Sequence, residues 1–186
     1  MPFGEYWPLE SFFNAINMSP WSIGSAFKKG KSLEPLEVEG IKYGGLVCLE
    51  SVYPWYYRES VRKGSHILFV VANNGWFFDS ICSKVHLNIS MMRAAEFNRP
   101  LLHVTNTGIS AIIDPKGTPL EEGPLQTQKI LIQDLPLTTQ NTLYTHLSNI
   151  PYLVMIFLIL SLSGRKRGQS KNEQFWILEL LLNAKE

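Results

Sequence analysis

Ile67-Leu68-Phe69-Val70-Val71-Ala72, closed by Asn73-Asn74-Gly75, is the stretch on which the fold turns. A continuous apolar run of this length reads as a central strand covered on both faces. The Asn-Asn-Gly that follows supplies turn chemistry. Upstream, Ile41 to Leu49 is a second short apolar run after Gly40, consistent with a buried strand ending at Cys48. Between the two runs, Pro54 to Lys63 reads as a helix with Pro54 in its first turn and Gly64 as its breaker. Downstream, the spacing predicts a helix over Ile81 to Phe97, with Ile81, Val85, Ile89, Met92 and Ala95 near one apolar stripe and Asp79 or Ser80 as its cap. Leu101 to Val104 and Ser110 to Ile113 read as strands, Asp114-Pro115-Lys116-Gly117 as a tight turn, and Lys129 to Asp134 as the last strand. Strands alternating with helices over residues 1–140 predict an α/β layer fold.

Bulk composition agrees. Of the 186 residues 45% are hydrophobic and 18% charged, which excludes a disordered chain and allows one domain with a real core. A formal net charge of +1 gives no basis for nucleic-acid binding. Two widely spaced cysteines, Cys48 and Cys82, do not make a disulfide framework, though one disulfide is not excluded. The four histidines show no metal-ligand spacing, so neither a metal nor another cofactor is expected. The start has neither the basic nor the apolar region of a secretory signal and reads like the middle of a domain.

The composition changes after Thr138. Leu147 to Gly164 carries no charge, and Tyr152 to Leu160 is almost wholly aliphatic or aromatic. At 1.5 Å per residue the span reaches roughly 27 Å, just short of a hydrocarbon core. The expectation is a transmembrane helix over 147–164, with a buried core helix as the alternative. Arg165, Lys166, Arg167 and Lys171 follow, which predicts a cytoplasmic tail over 165–186 and a globular part on the outer face. Phe175 to Leu182, with Glu179 inside it, reads as an interfacial helix or a tail.

Several residues are candidates for chemistry. Cys48 stands at the predicted end of a strand, where a side chain is rigidly held yet reachable, with Glu50 two residues on. A small core cysteine is the other reading. Glu5 follows a glycine turn and is otherwise a surface carboxylate. Trp76 and Phe77 follow the central strand and either line an apolar pocket or cap the core. His86, Arg93 and Glu96 share nearly one face of the predicted helix, a stripe that reads as structural, and Cys82 reads as incidental.

Taken together, five segments resemble the apolipoprotein N-acyltransferase family, membrane-anchored relatives of the nitrilases. Pro2-Phe3-Gly4-Glu5-Tyr6 with Pro8-Leu9-Glu10 is similar to its PFGEYVPLE motif, and Val47-Cys48-Leu49-Glu50 to its ICYE nucleophile motif. Asn73-Asn74-Gly75-Trp76-Phe77 resembles its NDAWF loop. Arg93-Ala94-Ala95-Glu96 with Arg99-Pro100-Leu101-Leu102 resembles RA-E-RPLL, and Thr105-Asn106-Thr107-Gly108-Ile109-Ser110-Ala111 resembles TNTGITA. The motifs stand in family order across residues 1–140. The resemblance implies a partial nitrilase-like αββα sandwich followed by one transmembrane helix, in the bacterial cytoplasmic membrane with the catalytic part on its periplasmic face. It implies a ping-pong reaction in which Cys48 takes an acyl chain from a phospholipid as a thioester. The amino-terminal diacylglyceryl-cysteine of an apolipoprotein then accepts that chain. By the same carry-over, Glu50 is a supporting carboxylate, Glu5 a second active-site Glu, and Trp76 and Phe77 border the acyl pocket.

This sequence departs from the family's pattern in places. Leu49 stands for its Tyr, Asn74-Gly75 for Asp-Ala, and Phe78 for Gly. The family's general-base Glu and oxyanion-stabilising Lys precede the PFGE motif, where this chain begins, and Lys28 and Lys29 lie in the wrong segment. The expectation is that the chain alone has little or no activity, leaves part of its sandwich core uncovered, and either aggregates or needs a separately encoded amino-terminal half. Two further readings stand beside it: an inactive remnant or membrane-tethered non-catalytic fragment, and a nitrilase-like amidase using the same cysteine.

Overall fold

The computed structural model describes Ile16, Gly30, residues 32–78 and residues 80–163. The chain divides into two compact units, Met1–Thr145 and His146–Glu186.

In the first unit a six-stranded sheet runs in chain order β1 to β6. Strands β1 (Leu36–Val38) and β2 (Ile41–Val47) form an antiparallel hairpin through Glu39 and Gly40, both at positive φ. A 3-10 turn over Cys48–Val52 leads into helix α1 (Pro54–Arg62), which starts on proline as expected. Strand β3 (Ile67–Ala72) pairs parallel with β2. A second 3-10 turn, Asn74–Phe77, precedes helix α2 (Cys82–Phe97). Strand β4 (Leu101–Thr105) is parallel to β3, and β5 (Ala111–Ile113) and β6 (Pro119–Glu122) continue the sheet antiparallel. Helix α3 covers Leu143–Leu147. The parallel centre with helical crossovers is the α/β arrangement the pattern predicts.

Register settles which residues meet the helices. Leu46, Val70, His103 and Ala111 lie side by side across β2 to β5, as do Gly44, Leu68, Leu101 and Ile113. Their face packs on Tyr57 and Val61 of α1 and on Leu87, Ala94 and Phe97 of α2. The neighbouring row, Val47, Val71 and Val104, points the other way and is 59%, 42% and 48% exposed. The expectation that β3 is covered on both faces is therefore corrected: its helix-facing residues are buried and Val71 is open.

Helix α2 has the predicted span with its faces exchanged. Ile81, Val85 and Met92, the expected core stripe, are exposed. The buried side carries Ser83, His86, Leu87, Ser90, Arg93, Ala94 and Phe97. Polar groups can face the sheet here where they find partners, as with Ser90 and His103 Nδ1 at 2.8 Å, while the buried Ser83 hydroxyl has none. Ser80 Oγ accepts the Cys82 N–H at 3.3 Å, but the N-cap position is Ile81, which has no side-chain cap bond; Asp79 lies outside the described residues.

The expected strand at Lys129 to Asp134 has no regular structure, and the last strand lies earlier, in β6. Asp114 Oδ1 accepts the N–H groups of Lys116 and Thr118 and turns the chain straight back onto β5. Residues 129–134 then hold to β6 without extending the sheet: Lys129 Nζ lies 3.0 Å from the Glu121 carboxylate and donates to the Glu122 carbonyl at 3.3 Å, and the Ile132 N–H donates to the Glu121 carboxylate at 3.2 Å. Buried Arg99 ties the chain on to α2: it donates to the carbonyls of Ser65, Thr139 and Gln140 and to Asn141 Oδ1.

In the second unit residues 150–163 are helical, and every residue from 149 to 163 is exposed. The apolar run begins within α3 and is interrupted at Ser148, which sits at φ 51. Among the described residues no helix is long and apolar enough to cross a membrane. The basic cluster at 165–167 and the segment 175–182 lie outside the described residues.

Candidate active site

Strand β2 delivers the chain to Cys48. Its two glycines allow close packing on opposite faces. A Cβ on Gly44 would stand 2.4 Å from Ser60 Oγ, and one on Gly45 would stand 2.2 Å from the Phe69 ring. Val47 is extended (φ −114, ψ 120), and Cys48 then turns into the left-handed region at φ 51. A non-glycine residue there carries strain of about 1–3 kcal/mol and persists only where its surroundings hold it. The supports are local. The Glu50 carboxylate reaches back to accept the Val47 N–H at 2.8 Å. The Ser51 hydroxyl lies 2.8 Å from the Cys48 carbonyl, and the Tyr53 N–H donates to the Glu50 carbonyl at 3.1 Å. The strand thus ends one residue before Cys48, and the thiol sits half-buried on a pinned turn rather than inside the strand. Glu50 is brought to the backbone beside Cys48.

The second loop is built on paired asparagines. Asn73 Oδ1 accepts the Gly75 N–H at 3.0 Å and the Asn106 side-chain amide at 2.7 Å. Asn106 Oδ1 accepts the N–H groups of Asn74 and Thr107 at 3.0 and 2.8 Å. Gly108 is required there, since a Cβ would come 2.4 Å from Asn74 Nδ2. Trp76 projects from this loop and is 81% exposed, whereas Phe77 is half-buried with its ring edge-on to His86. Glu5 lies outside the described residues.

Beneath both loops runs a buried polar chain that the reading of the sequence missed. His86 Nε2 stands 3.0 Å from Ser51 Oγ, and His86 Nδ1 stands 3.2 Å from Asn74 Oδ1. The His103 ring packs edge-to-face on His86 with centroids 4.8 Å apart. Burial pushes the His86 pKa below its ordinary value, against a smaller opposing pull from the Cys48 backbone. Burial, reinforced by His86, takes His103 down to about 3, so both rings are neutral at neutral pH. The signal was present in the sequence as Ser83, His86, Ser90 and Arg93, spaced like a helix face. The stripe of His86, Arg93 and Glu96 reads as structural, but its partners in other segments cannot be read from one helix. Tyr57 is raised above the usual tyrosine range by its burial, with Arg93 opposing and Glu50 adding to the shift.

A polar cavity of about 460 Å³ opens beside the second loop, lined by Thr105, Asn106, Thr107, Ser110, Gln126 and Lys129 among others. None of its walls comes from the Cys48 turn. Cys82 is exposed near the start of α2, away from the buried side of that helix.

Residues 12–143 match the family model for carbon-nitrogen hydrolase. The apolipoprotein N-acyltransferase of Haemophilus influenzae is 33% identical over 163 residues, covering 86% of this chain and 31% of that protein. The Pasteurella multocida protein of the same name is 32% identical over 165 residues, covering 88% of this chain and 32% of its own length. The chain thus spans about a third of the curated relatives it matches. In fold it is similar to a crystal structure of a carbon-nitrogen hydrolase from Helicobacter pylori, with TM-score 0.51 and 17% identity over 56% of this chain and 43% of that one. The chain belongs to the carbon-nitrogen hydrolase family.

Proposed function

We propose that this member of the carbon-nitrogen hydrolase family serves N-acylation of apolipoproteins, with Cys48 as the nucleophile. The observation that carries the reading is the Cys48 turn: a thiol at positive φ, directly after a parallel strand, pinned by Glu50 and Ser51. A strained, over-determined backbone at one reactive residue is how a nucleophile is presented at a fixed angle. The names of these relatives supply the substrate class.

The chemistry runs in two halves. The thiolate attacks the ester carbonyl of a phospholipid, and the lysophospholipid oxygen leaves with a proton. The resulting thioester is attacked by the free α-amine of a diacylglyceryl-cysteine, giving an amide and returning the thiol. A thioester divides one difficult exchange between two lipids into two easier ones. Glu50 acts on the backbone of the turn, while Glu5 is the second carboxylate of the site. Trp76 and Phe77 border the acyl chain, and the exposure of Trp76 suits contact with lipid.

The helix at 150–163 supports a membrane setting. From Tyr152 to Leu160 every residue is apolar or aromatic and at least half exposed. A helix apolar on all sides is stable only in a protein interior or a bilayer. In this reading it anchors the chain beside its lipid substrates, with the basic residues after it on the cytoplasmic side.

The test uses vesicles holding a phospholipid with a labelled acyl chain. Hydroxylamine-sensitive label is expected on Cys48, lost in Cys48→Ser and kept in Cys82→Ser. Label that appears only when the amino-terminal segment of one of these relatives is added shows that the transfer needs groups beyond residues 1–186. No label under either condition sinks the reading, and hydrolysis of small amides in its place turns it toward an amidase.

A further inference from the structure

The buried chain under the two loops has a hydrogen count that one arrangement meets with the fewest unpaired donors. Ser51 has one hydroxyl hydrogen and two neighbours, the Cys48 carbonyl at 2.8 Å and His86 Nε2 at 3.0 Å. His86 is buried, so its ring is neutral, with one donor and one acceptor nitrogen. Asn74 is 1% exposed, and its side-chain Nδ2 has no hydrogen-bond partner. A buried amide N–H without an acceptor is the costly kind of orphan.

If His86 carried its proton on Nδ1, it would donate to Asn74 Oδ1. Ser51 would then have to turn to Nε2 and abandon Cys48, and the Asn74 amide would stay orphaned. If both nitrogens were protonated, a charge would be buried with no carboxylate on it and the same orphan would remain. With the proton on Nε2 and the Asn74 amide rotated by half a turn, the ring, the amide and the hydroxyl all donate, one Asn74 N–H stays unpaired, and the amide oxygen takes the unpartnered place. Asn74 Nδ2 donates to His86 Nδ1, His86 Nε2 donates to Ser51 Oγ, and Ser51 donates to the Cys48 carbonyl. Side-chain amide orientation and ring tautomer are set by such networks.

We propose that His86 is a positioning residue for Cys48, acting as an Nε2–H tautomer that locks the nucleophile turn to the Asn74 loop through Ser51. All three hydrogen bonds point the same way, from the second loop toward the backbone of Cys48, so they reinforce one another. The lock explains how Cys48 is held at φ 51 without a glycine. It also couples the position of Trp76 and Phe77 to the thiol, since they follow Asn74 in the same turn. The proposal rests on the reading of Cys48 as the nucleophile, but the lock itself is measurable without any turnover.

The experiment uses the full chain in detergent micelles, with His86→Asn, His86→Gln and Ser51→Ala. Nitrogen chemical shifts of the imidazole are expected to show the Nε2–H tautomer. Exchange of the Val47 and Tyr53 amides is expected to speed up about tenfold in His86→Asn and Ser51→Ala, the scale of one lost hydrogen bond. Core amides of β3 and β4 should exchange as in the wild type. His86→Gln, whose amide nitrogen reaches near the place of Nε2, should restore exchange to within about threefold. Thioester formation on Cys48 should fall and recover in parallel. An Nδ1–H ring, or turn amides that exchange alike in His86→Asn and the wild type, overturns the proposal. If His86→Asn also loosens β3 and β4, His86 is only a core residue and the proposal falls. Exchange that follows the predicted pattern while no form of the chain makes a thioester, with or without the added amino-terminal segment, sustains the lock and discards the acyltransferase reading.

Discussion

The two faces of the β-sheet are made from nearly the same residues and meet opposite fates. Leu46, Val70 and Leu101 are buried under α1 and α2, while Val47, Val71 and Val104 in the same strands stand 42–59% exposed. Alternation along a strand separates the rows, and the helical layer decides which is dry. The open row ends at the Cys48 turn and borders the Trp76 loop through β3. An apolar face beside a presented thiol is a fitting neighbour for an acyl chain, or for the second sheet of a sandwich.

Truncation on each face sharpens this contrast. Phe97→Ala, at a fully buried position, should cost about 3–5 kcal/mol in denaturant unfolding. Val71→Thr or Val104→Thr should stay within about 0.5 kcal/mol, as surface changes do. A large loss at Val71 would mean that its face is covered in solution.

Protons make the next largest contrast. His103 belongs to the covered face and is held neutral down to a pKa of about 3, whereas in the unfolded chain it takes up a proton near 6.5. The unfolded state therefore binds more protons between those values. The stability contribution is fully present above pH 6.5 and is lost as pH falls toward 3, on the order of 5 kcal/mol in all. His103→Gln should flatten that part of the stability profile. An unchanged slope would show that other groups dominate the acid transition.

Glycines provide the smallest effect and the finest comparison. Gly44→Ala drives a Cβ into the buried Ser60–Ser65 hydroxyl pair and should destabilise by about 1–3 kcal/mol. Gly45→Ala meets the Phe69 ring on the open face, where the half-buried ring has room to swing, so a loss below about 1 kcal/mol is expected. Equal losses at the two positions would place Phe69 under firm cover.

Much of this architecture was legible in the residues. The spans of α1, β3, α2 and β4 follow from apolar runs, Pro54 and the Asn-Asn-Gly turn. Turn chemistry also placed the chain reversal at Asp114. What was misread shares one cause. The apolar stripe of α2 and the run at Lys129 to Asp134 have patterns that suit burial, but a pattern only nominates a face. In α2 the face with fewer apolar residues won, because His86, Ser90 and Arg93 find partners there and Leu87, Ala94 and Phe97 still fill the core. Residues 129–134 lost their place in the sheet because the Asp114 turn had already supplied β6.

The candidate site divides in the same way. Cys48, Glu50 and the Trp76 loop could be singled out from local sequence, because a nucleophile motif and a turn are short-range features. The positive φ at Cys48, the service of Glu50 to the Val47 N–H and the His86 chain needed the tertiary structure. Ser51, Asn74 and His86 lie up to 35 positions apart, and a hydrogen bond is decided by distances of a few tenths of an ångström that no linear spacing encodes. By itself the sequence determined the order of β2 to β5 with the two helices between them, and it singled out Cys48 as a candidate. The packing of α2 on the sheet decided which polar groups are buried together, because burial is what obliges them to find one another.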